Sequence, residues 1–250
     1  RTMENQPGQL ILLTDLTETR HLQAQLAHAQ RLSAMGKMVA SLAHQIRTPL
    51  SAAILYGGHL SQQDLDEEMR QRCATRLMSR LTHLEQQVRD MLIFARGETR
   101  LAEELSAARL VSALGSAVDG LRPAPGAKVT LQDRVSEACR LMCNRDALVG
   151  ACTNLVNNSL EAGATDVTVQ VMEEAGELVI RVIDNGPGFE PADANRLSEA
   201  FYTTKSHGTG LGLAVVQAVT KAHQGRFFIE SPERGGAVAT LRLPQLRNKD

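Results

Sequence analysis

The chain has 250 residues, of which 27 are Lys or Arg and 28 are Asp or Glu, for a formal net charge of −1. This near-neutral balance gives no reason to expect direct binding to nucleic acid or to an anionic membrane surface. Aromatic residues make up 3% of the chain and Trp is absent, which argues against an aromatic platform for stacking on bases and favours an aliphatic core.

The cysteine and hydropathy patterns favour a cytoplasmic protein. The chain has four Cys and no Cys-x-x-Cys pair, so we expect reduced thiols and not a zinc site. No apolar run reaches the length of about 18 to 20 residues that spans a bilayer, and the N-terminus has no apolar signal segment. Because the sequence begins with Arg and not Met, we expect a fragment of a longer protein.

The first predicted element is a short apolar strand from Gln9 to Asp15. A lone strand is only marginally stable, so residues 1–18 are interpreted as the end of an upstream domain. An edge strand or a disordered tail is the alternative.

Residues 19–98 are predicted to form two amphipathic helices joined by a short loop. The first has apolar residues at alternating steps of three and four, a heptad seam, and is expected to stop at Gly57-Gly58. The second is expected to end near Gly97. Because so narrow a hairpin cannot bury both of its seams alone, we expect a homodimer in which two hairpins form a four-helix bundle. The seams are Leu32, Met35, Val39, Leu42 and Ile46, and Cys73, Leu77, Leu81, Leu84, Val88 and Met91.

Residues 99–250 alternate short strand patterns with helices and predict an α+β two-layer sandwich. The pattern predicts helices over 101–121, 145–162 and 211–222, and strands over 128–131, 166–172, 177–183, 226–230 and 237–243. The second and third strands, and the last two, are expected to pair as hairpins.

Two polar motifs stand out in the first part of this sandwich. Asn154 and Asn158 are four residues apart and share one face of the predicted helix. Asn is unfavourable inside a helix unless its amide has a partner, although solvated amides are an alternative. The string Asp184-Asn-Gly-Pro-Gly188 follows an apolar strand, and its Gly residues allow a ligand to approach the backbone closely. A simple turn is the alternative.

Two further motifs suit phosphate groups. Gly208-Thr-Gly-Leu-Gly-Leu213 runs into a helix, and such a turn offers free N–H groups to phosphate. It is neither a dinucleotide fingerprint nor a P-loop. Phe201-Tyr-Thr-Thr-Lys205 supplies a cation and two hydroxyls and could close over a phosphate chain, unless it is an ordinary surface loop.

Taken in order, the four motifs resemble the N, G1, F and G2 boxes of sensor histidine kinases, whose ATPase superfamily includes gyrase and MutL. The resemblance implies a Bergerat-type domain that binds ATP with Mg²⁺. It implies that Asp184 accepts a hydrogen bond from the adenine amino group, that Asn158 ligates Mg²⁺, and that Asn154 assists nearby. Gly186 and Gly188 would make room for the nucleotide.

The same resemblance assigns the phosphate contacts and exposes one departure. Relatives often carry a cation three residues after the second Asn, where this chain has Glu161. More of the phosphate charge must then be met by Mg²⁺, a lysine and backbone N–H groups. The residues assigned to phosphate are Lys205, Gly208, Gly210 and Gly212.

The string from Ser41 to Leu50 resembles the H box of the same family, with His44 as the phosphoacceptor. The heptad independently places His44 at position f, away from the seam, where the imidazole is exposed. The other six His residues are expected at the surface. Pro49 removes a backbone N–H, so a bend is expected one turn beyond His44.

The resemblance implies that His44 attacks the γ-phosphorus of ATP and that the phosphoryl group then passes to an aspartate of a response regulator receiver domain. Relatives have an acid beside the His to orient the ring and take its proton, but this chain has Gln45, which cannot act as a base. We therefore expect slow autophosphorylation. Thr48 lies one turn on, where relatives place a residue that positions water to dephosphorylate the partner.

Within the family, the strings from Leu32 to Met38 and from Ala43 to Leu50, with Gln after the His, are most similar to flagellar-regulatory sensor kinases of the FleS/FlrB type. Their partner is a transcriptional activator, and a PAS sensory domain lies upstream, of which residues 1–18 would be the remnant. Two alternatives stay open. Gln45 and Glu161 allow a non-catalytic, nucleotide-binding scaffold, and a gyrase- or MutL-like ATPase shares the ATP motifs but does not explain His44.

Overall fold

The computed structural model describes residues 15–62, 64–96, 103–121, 123, 125–190, 193–197, 199–203 and 210–246. The strand predicted from Gln9 to Asp15 lies outside the described residues except for Asp15, which belongs to no helix or strand. Lys205 and Gly208 also lie outside them.

Two long helices form the first part of the fold, α1 (Thr17–Leu60) and α2 (Glu67–Arg96), and they pack against each other. Helix α1 runs through Pro49 and also through Gly57-Gly58, so the predicted stop at the glycines is wrong. The cost of Gly inside a helix is only about 1 kcal/mol, and the Ser61 hydroxyl donates a hydrogen bond to the Gly57 carbonyl at 3.1 Å, which completes the last turn. No helix within the described ranges is long and apolar enough to cross a membrane.

The second part of the fold is the predicted α+β sandwich. Its main sheet has the order β2 (Lys128–Arg134), β4 (Asp166–Glu174), β5 (Glu177–Asp184), β7 (Val238–Pro244) and β6 (Arg226–Glu230). Only β2 and β4 are parallel, so both predicted hairpins are confirmed.

Three helices pack on this sheet: α3 (Ala107–Asp119), α4 (Arg145–Glu161) and α6 (Gly212–Ala222). Their apolar faces and the sheet share one aliphatic core, as the scarcity of aromatic residues indicates. Its fully buried members include Leu110, Leu148, Val167, Ile180 and Leu241.

The start of the sandwich differs from the sequence prediction. Residues 101–121 are not one helix, because Glu103–Ser106 forms a strand, β1, before α3 begins. Strand β1 pairs antiparallel with β3 (Arg140–Cys143), which was not predicted either. The pairing buries Leu105 and places it beside Leu141. Because β1 and β3 are far apart in sequence, their pairing leaves no local periodicity from which either strand could be predicted. A short helix, α5 (Ala194–Leu197), was also not predicted.

His223 corrects the expectation that the six other histidines lie at the surface, because it is only 2% exposed. Its Nδ1 lies 2.7 Å from the Val219 carbonyl, and its Nε2 accepts the Asn144 N–H at 2.9 Å. Burial lowers the pKa of His223, which favours the neutral ring that these bonds need. The Asn144 side chain in turn caps α4 at Ala147, so His223 ties the end of α6 to the start of α4.

The four cysteines are free and buried. Burial raises the pKa of Cys139 and of Cys143 to about 11, which keeps both in the unreactive thiol form. This agrees with the prediction of reduced thiols.

Candidate functional site

A cleft of about 920 Å³ lies between α2 and the sandwich. Its volume is in the range of small-molecule and cofactor sites. Residues of α4, the end of β5 with its following turn, and the start of α6 line it. From these elements the predicted site residues Asn154, Asn158, Asp184, Gly188, Gly210 and Gly212 all contribute to the lining.

Asp184, the last residue of β5, has its carboxylate held in one orientation by three donors. Its Oδ2 accepts a hydrogen bond from the Ser159 hydroxyl at 2.6 Å. Its Oδ1 accepts the N–H of Gly186 at 2.9 Å and that of Ala237 at 3.1 Å. The result is a fixed acceptor, half-buried in the cleft, suited to reading a donor on a bound base.

Two glycines are required by the packing of the protein itself. Gly188 has a φ of 71°, and a Cβ there would overlap the Ser231 hydroxyl and the Gly236 carbonyl. Gly210 has a φ of 65°, and a Cβ there would overlap the Phe201 backbone. Any other residue at either position would need both a left-handed backbone and space that the chain already fills.

The two remaining predicted site glycines that the structure describes, Gly186 and Gly212, lie beside candidate ligand residues. A Cβ on Gly186 would lie 3.1 Å from Oδ1 of Asp184, and one on Gly212 would lie 3.2 Å from Nδ2 of Asn158. Both separations are tight for a side chain. Glycine at these positions therefore leaves the Asp184 carboxylate and the Asn158 amide free of crowding.

The residues around Asn158 fit a Mg²⁺ ion that enters with a nucleotide. Asn158 is half-buried and lines the cleft, and its amide oxygen is a type of ligand that hard cations accept. Within the described ranges, no group of three or more His, Cys, Asp or Glu residues could hold a metal ion. Since Mg²⁺ in proteins is often held by few side chains together with substrate phosphates, this donor set suits a nucleotide-borne ion.

Asn154 lines the cleft and is hydrogen-bonded to α2. Its Nδ2 donates to both carboxylate oxygens of Asp90, at 3.2 and 3.1 Å. Gln86 donates to Asp90 Oδ1 at 2.8 Å and to Asn154 Oδ1 at 3.4 Å. Both Asp90 and Asn154 are 7% exposed, and burial raises the pKa of Asp90 despite these donors. We call Gln86, Asp90 and Asn154 the Asp90 cluster.

Helix α2 is the part of the cleft that the sequence interpretation missed. One face of this helix forms a wall of the cleft, which we call the α2 wall. Polar residues recur along it at helical spacing, and that recurrence is the signal that could have revealed it. The α2 wall consists of Arg80, His83, Gln86, Gln87 and Asp90.

An aromatic contact joins α2 to the F-box segment. The rings of Phe94 and Phe201 are 5.5 Å apart and nearly perpendicular, at 80°, an edge-to-face geometry favourable for aromatic pairs. Phe94 is 8% exposed and belongs to the sandwich core. Phe201 has a φ of 70°, and its N–H donates to the Gly210 carbonyl at 2.8 Å. Helix α2 and Phe201, the first residue of the F-box string, therefore pack together.

His44 lies exposed on α1, as its heptad position predicts. Gln45 is half-buried, and the exposed Thr48 donates its hydroxyl hydrogen to the His44 carbonyl at 3.1 Å. His44 is on the other helix of the hairpin and does not line the cleft. In this arrangement the candidate phosphoacceptor and the candidate nucleotide site are separate.

Comparison with known proteins agrees with this two-part architecture. The His Kinase A (phospho-acceptor) domain family matches residues 34–100. The histidine kinase-, DNA gyrase B- and HSP90-like ATPase family matches residues 143–247. The chain therefore belongs to the sensor histidine kinases, the class in which a phosphoacceptor hairpin precedes an ATPase sandwich.

Within that class it resembles the sensor protein kinase FleS of Pseudomonas aeruginosa, to which it is 52% identical over 246 residues, covering 98% of this chain and 60% of FleS. It is 28% identical to the signal transduction histidine-protein kinase AtoS of Escherichia coli, covering 95% of this chain and 39% of AtoS. The chain thus spans less than two thirds of either relative.

Two solved structures share the fold. Histidine kinase ThkA, in a complex with the response regulator protein TrrA, matches with a TM-score of 0.63 and 20% identity, over 95% of this chain and 70% of ThkA. Full-length ShkA in complex with AMPPNP matches with a TM-score of 0.58 and 24% identity, over 86% of this chain and 47% of ShkA. The hairpin and the sandwich are therefore found together in known kinases.

Proposed function

We propose that this chain is the kinase core of a sensor protein, which phosphorylates itself on His44 with ATP and transfers the phosphoryl group to an aspartate of a response regulator. The observation that carries the proposal is an exposed histidine on a helical hairpin next to a cleft with a fixed acceptor and amide ligands. The similarity to FleS, and the ThkA complex with a response regulator protein, support the same function.

In this proposal each cleft residue has one task. Asp184, oriented by Ser159, accepts a hydrogen bond from the adenine amino group. Asn158 would hold a Mg²⁺ ion that enters with the nucleotide, and Asn154 would assist from its place beside α2. The ion supplies charge neutralisation at the phosphates. The backbone turns at Gly186 and Gly188 shape the base end of the site, and the remaining phosphate contacts come from Lys205, Gly208, Gly210 and Gly212.

The chemical step requires an unprotonated ring nitrogen on His44. Its lone pair attacks the γ-phosphorus in line, the bond from that phosphorus to the bridging oxygen breaks, and ADP leaves with the electron pair. The ring proton must then go elsewhere. Gln45 cannot take it, so it passes to water, which reaches the exposed ring of His44.

The finer proposals follow from the FleS similarity and from the hairpin. The response regulator is a transcriptional activator of flagellar genes, and Thr48 positions a water for dephosphorylating it. The working unit is a homodimer whose two hairpins form a four-helix bundle. Because ATP and receiver domains are cytoplasmic, we place this core in the cytoplasm.

Incubation with γ-labelled ATP tests the proposal. The unchanged chain is expected to gain an acid-labile, base-stable label, and His44→Ala is expected to lose it. His59→Ala is the matched control, since His59 is another exposed histidine of α1, and it should keep the label. ATP binding without any label would contradict the kinase proposal and support the non-catalytic scaffold.

A further inference from the structure

The cleft is unusually acidic for a site that receives a triphosphate. The described lining residues include one side chain with a permanent positive charge, Arg80, and five carboxylates. Glu161 lies on α4, the helix that also carries the candidate Mg²⁺ ligand Asn158, and Asp90 lies on α2, where it accepts a hydrogen bond from Asn154 of α4. Anionic phosphates are stabilised by nearby cations. The five acidic residues are Asp90, Glu161, Asp184, Glu190 and Asp193.

Arg80 also differs from its neighbours on α2. Four other arginines of this helix have described side chains, and each has a partner within the helix hairpin. Arg72 and Arg89 pair with Glu68 and Glu85, respectively. Arg80 makes no hydrogen bond or ion pair with any described residue, although it lines the cleft. The remaining pairs are Arg70 with Glu67 and Arg76 with Tyr56.

Gln87 supplies an independent sign that this wall is incomplete without a ligand. It lies two turns after Arg80 on the same face of α2 and is 6% exposed. Its Oε1 is buried and has no hydrogen-bond partner within the described part of the chain. A buried acceptor of this kind is costly unless something donates to it. A ribose hydroxyl or a water on a bound ion would supply that donor.

The hairpin also places the α2 wall close to His44 in position along the helix axes. Arg76 contacts Tyr56 across the two helices, which fixes their relative level. His44 lies about 18 Å before Tyr56 along α1, and the same distance beyond Arg76 along α2 reaches Val88. Arg80 is therefore about two turns from the level of the candidate phosphoacceptor.

We propose that Arg80 binds the terminal phosphate of the nucleotide. The phosphoacceptor hairpin then provides the cation that the ATPase sandwich lacks at Glu161, and Gln87 completes the same wall. This inference rests on the proposed ATP-binding function. It assigns to α2 a contact with the substrate that depends on the γ-phosphate and not on the base.

Calorimetric titration of the whole chain with ATP, ADP and AMP tests this assignment. Arg80→Ala is expected to weaken ATP binding about tenfold, ADP binding less, and AMP binding not at all. Arg80→Lys should recover part of the ATP affinity, because a cation remains. Arg72→Ala is the matched control: Arg72 is on the same helix but pairs with Glu68, and its loss should leave all three affinities unchanged.

The possible failures can be told apart. If the unchanged chain binds ATP and Arg80→Ala binds it equally well, Arg80 is not a phosphate ligand, while the proposed function stands. If Arg80→Ala weakens ATP and AMP to the same extent, the residue supports the fold of the cleft and the assignment is wrong. If the unchanged chain binds no nucleotide, both proposals fail.

Discussion

At the scale of single residues, the side chain next to His44 is expected to control where the ring proton goes in the proposed phosphorylation. Gln45 can accept a hydrogen bond but cannot take a proton, so water must do so. Gln45→Glu places a carboxylate there and should raise the rate of autophosphorylation about tenfold or more, because general-base catalysis contributes at least that much. The measurement is the initial rate of label incorporation at saturating ATP.

The matched control for that prediction is Gln45→Ala, which removes the amide without adding a base. It should be no faster than the unchanged chain. An equal gain in both variants would mean that Gln45 merely hinders access to His44, and an unchanged rate in Gln45→Glu would show that proton removal does not limit the step.

Thr48 is expected to separate two activities. Its hydroxyl donates to the His44 carbonyl, which is already part of the helix, so autophosphorylation does not need it. Thr48→Ala should therefore keep the autokinase rate within about twofold and lose most phosphatase activity toward the phosphorylated partner, a loss of about tenfold or more. Thr48→Ser keeps the hydroxyl and should retain both. Equal losses of the two activities in Thr48→Ala would contradict a water-positioning role.

At the scale of elements, the Asp90 cluster links α2 to α4 by hydrogen bonds. Asp90 is a buried carboxyl whose pKa burial raises above its ordinary value. The folded chain therefore binds its proton more readily than the unfolded chain does, and the free energy of unfolding falls as pH rises through this range. A neutral acceptor at this position would remove that pH dependence.

Asp90→Asn should accordingly be more stable than the unchanged chain, and its advantage should grow from about pH 4 to about pH 7. Its amide oxygen still accepts from Asn154. Asp90→Ala leaves the buried Asn154 amide without that acceptor, so its free energy of unfolding should be about 1 to 3 kcal/mol lower than that of the unchanged chain. Urea unfolding followed at several pH values measures both effects. A constant difference between Asp90→Asn and the unchanged chain across pH would contradict the assignment of the titrating group.

Elements with strong local periodicity could be predicted from the sequence, and elements defined by distant partners could not. The apolar spacing of α4 and the alternation in β4 and β5 are local, and both predictions are confirmed. Strand β1 forms by pairing with β3, which is distant in sequence. The buried Asn154 is hydrogen-bonded to Asp90 on α2, which is also distant in sequence. The motifs thus indicated the sandwich side of the cleft, while its α2 wall required knowledge of how the two parts pack.

At the scale of the whole molecule, α2 presents three different faces. One face packs against α1, Cys73 is buried, and Gln87 and Asp90 line the cleft. A third face carries large apolar side chains that remain 41–60% exposed. Apolar side chains repeating at this spacing on one helix face are typical of a helix–helix interface. The exposed stripe consists of Met78, Leu81, Val88 and Leu92.

In the proposed homodimer this stripe would pack against a second copy of the hairpin, since α1 carries a similar exposed series that includes Val39, Leu50 and Ile54. Leu81 and Val88 are one heptad apart. Replacing both with Glu should convert the proposed dimer to a monomer, because each replacement loses about 1.5 to 3 kcal/mol of apolar burial and adds a buried charge. Sedimentation equilibrium measures the outcome.

Thr82→Glu provides the matched control for the dimer prediction, because Thr82 is exposed and lies next to Leu81 but off the stripe. It should remain dimeric. The double variant should still bind ATP, since its changes lie on the face of α2 opposite Asp90. If it dimerises as tightly as the unchanged chain, the stripe is not the interface; if it becomes monomeric and keeps nucleotide affinity, assembly and ATP binding use separate faces of one helix.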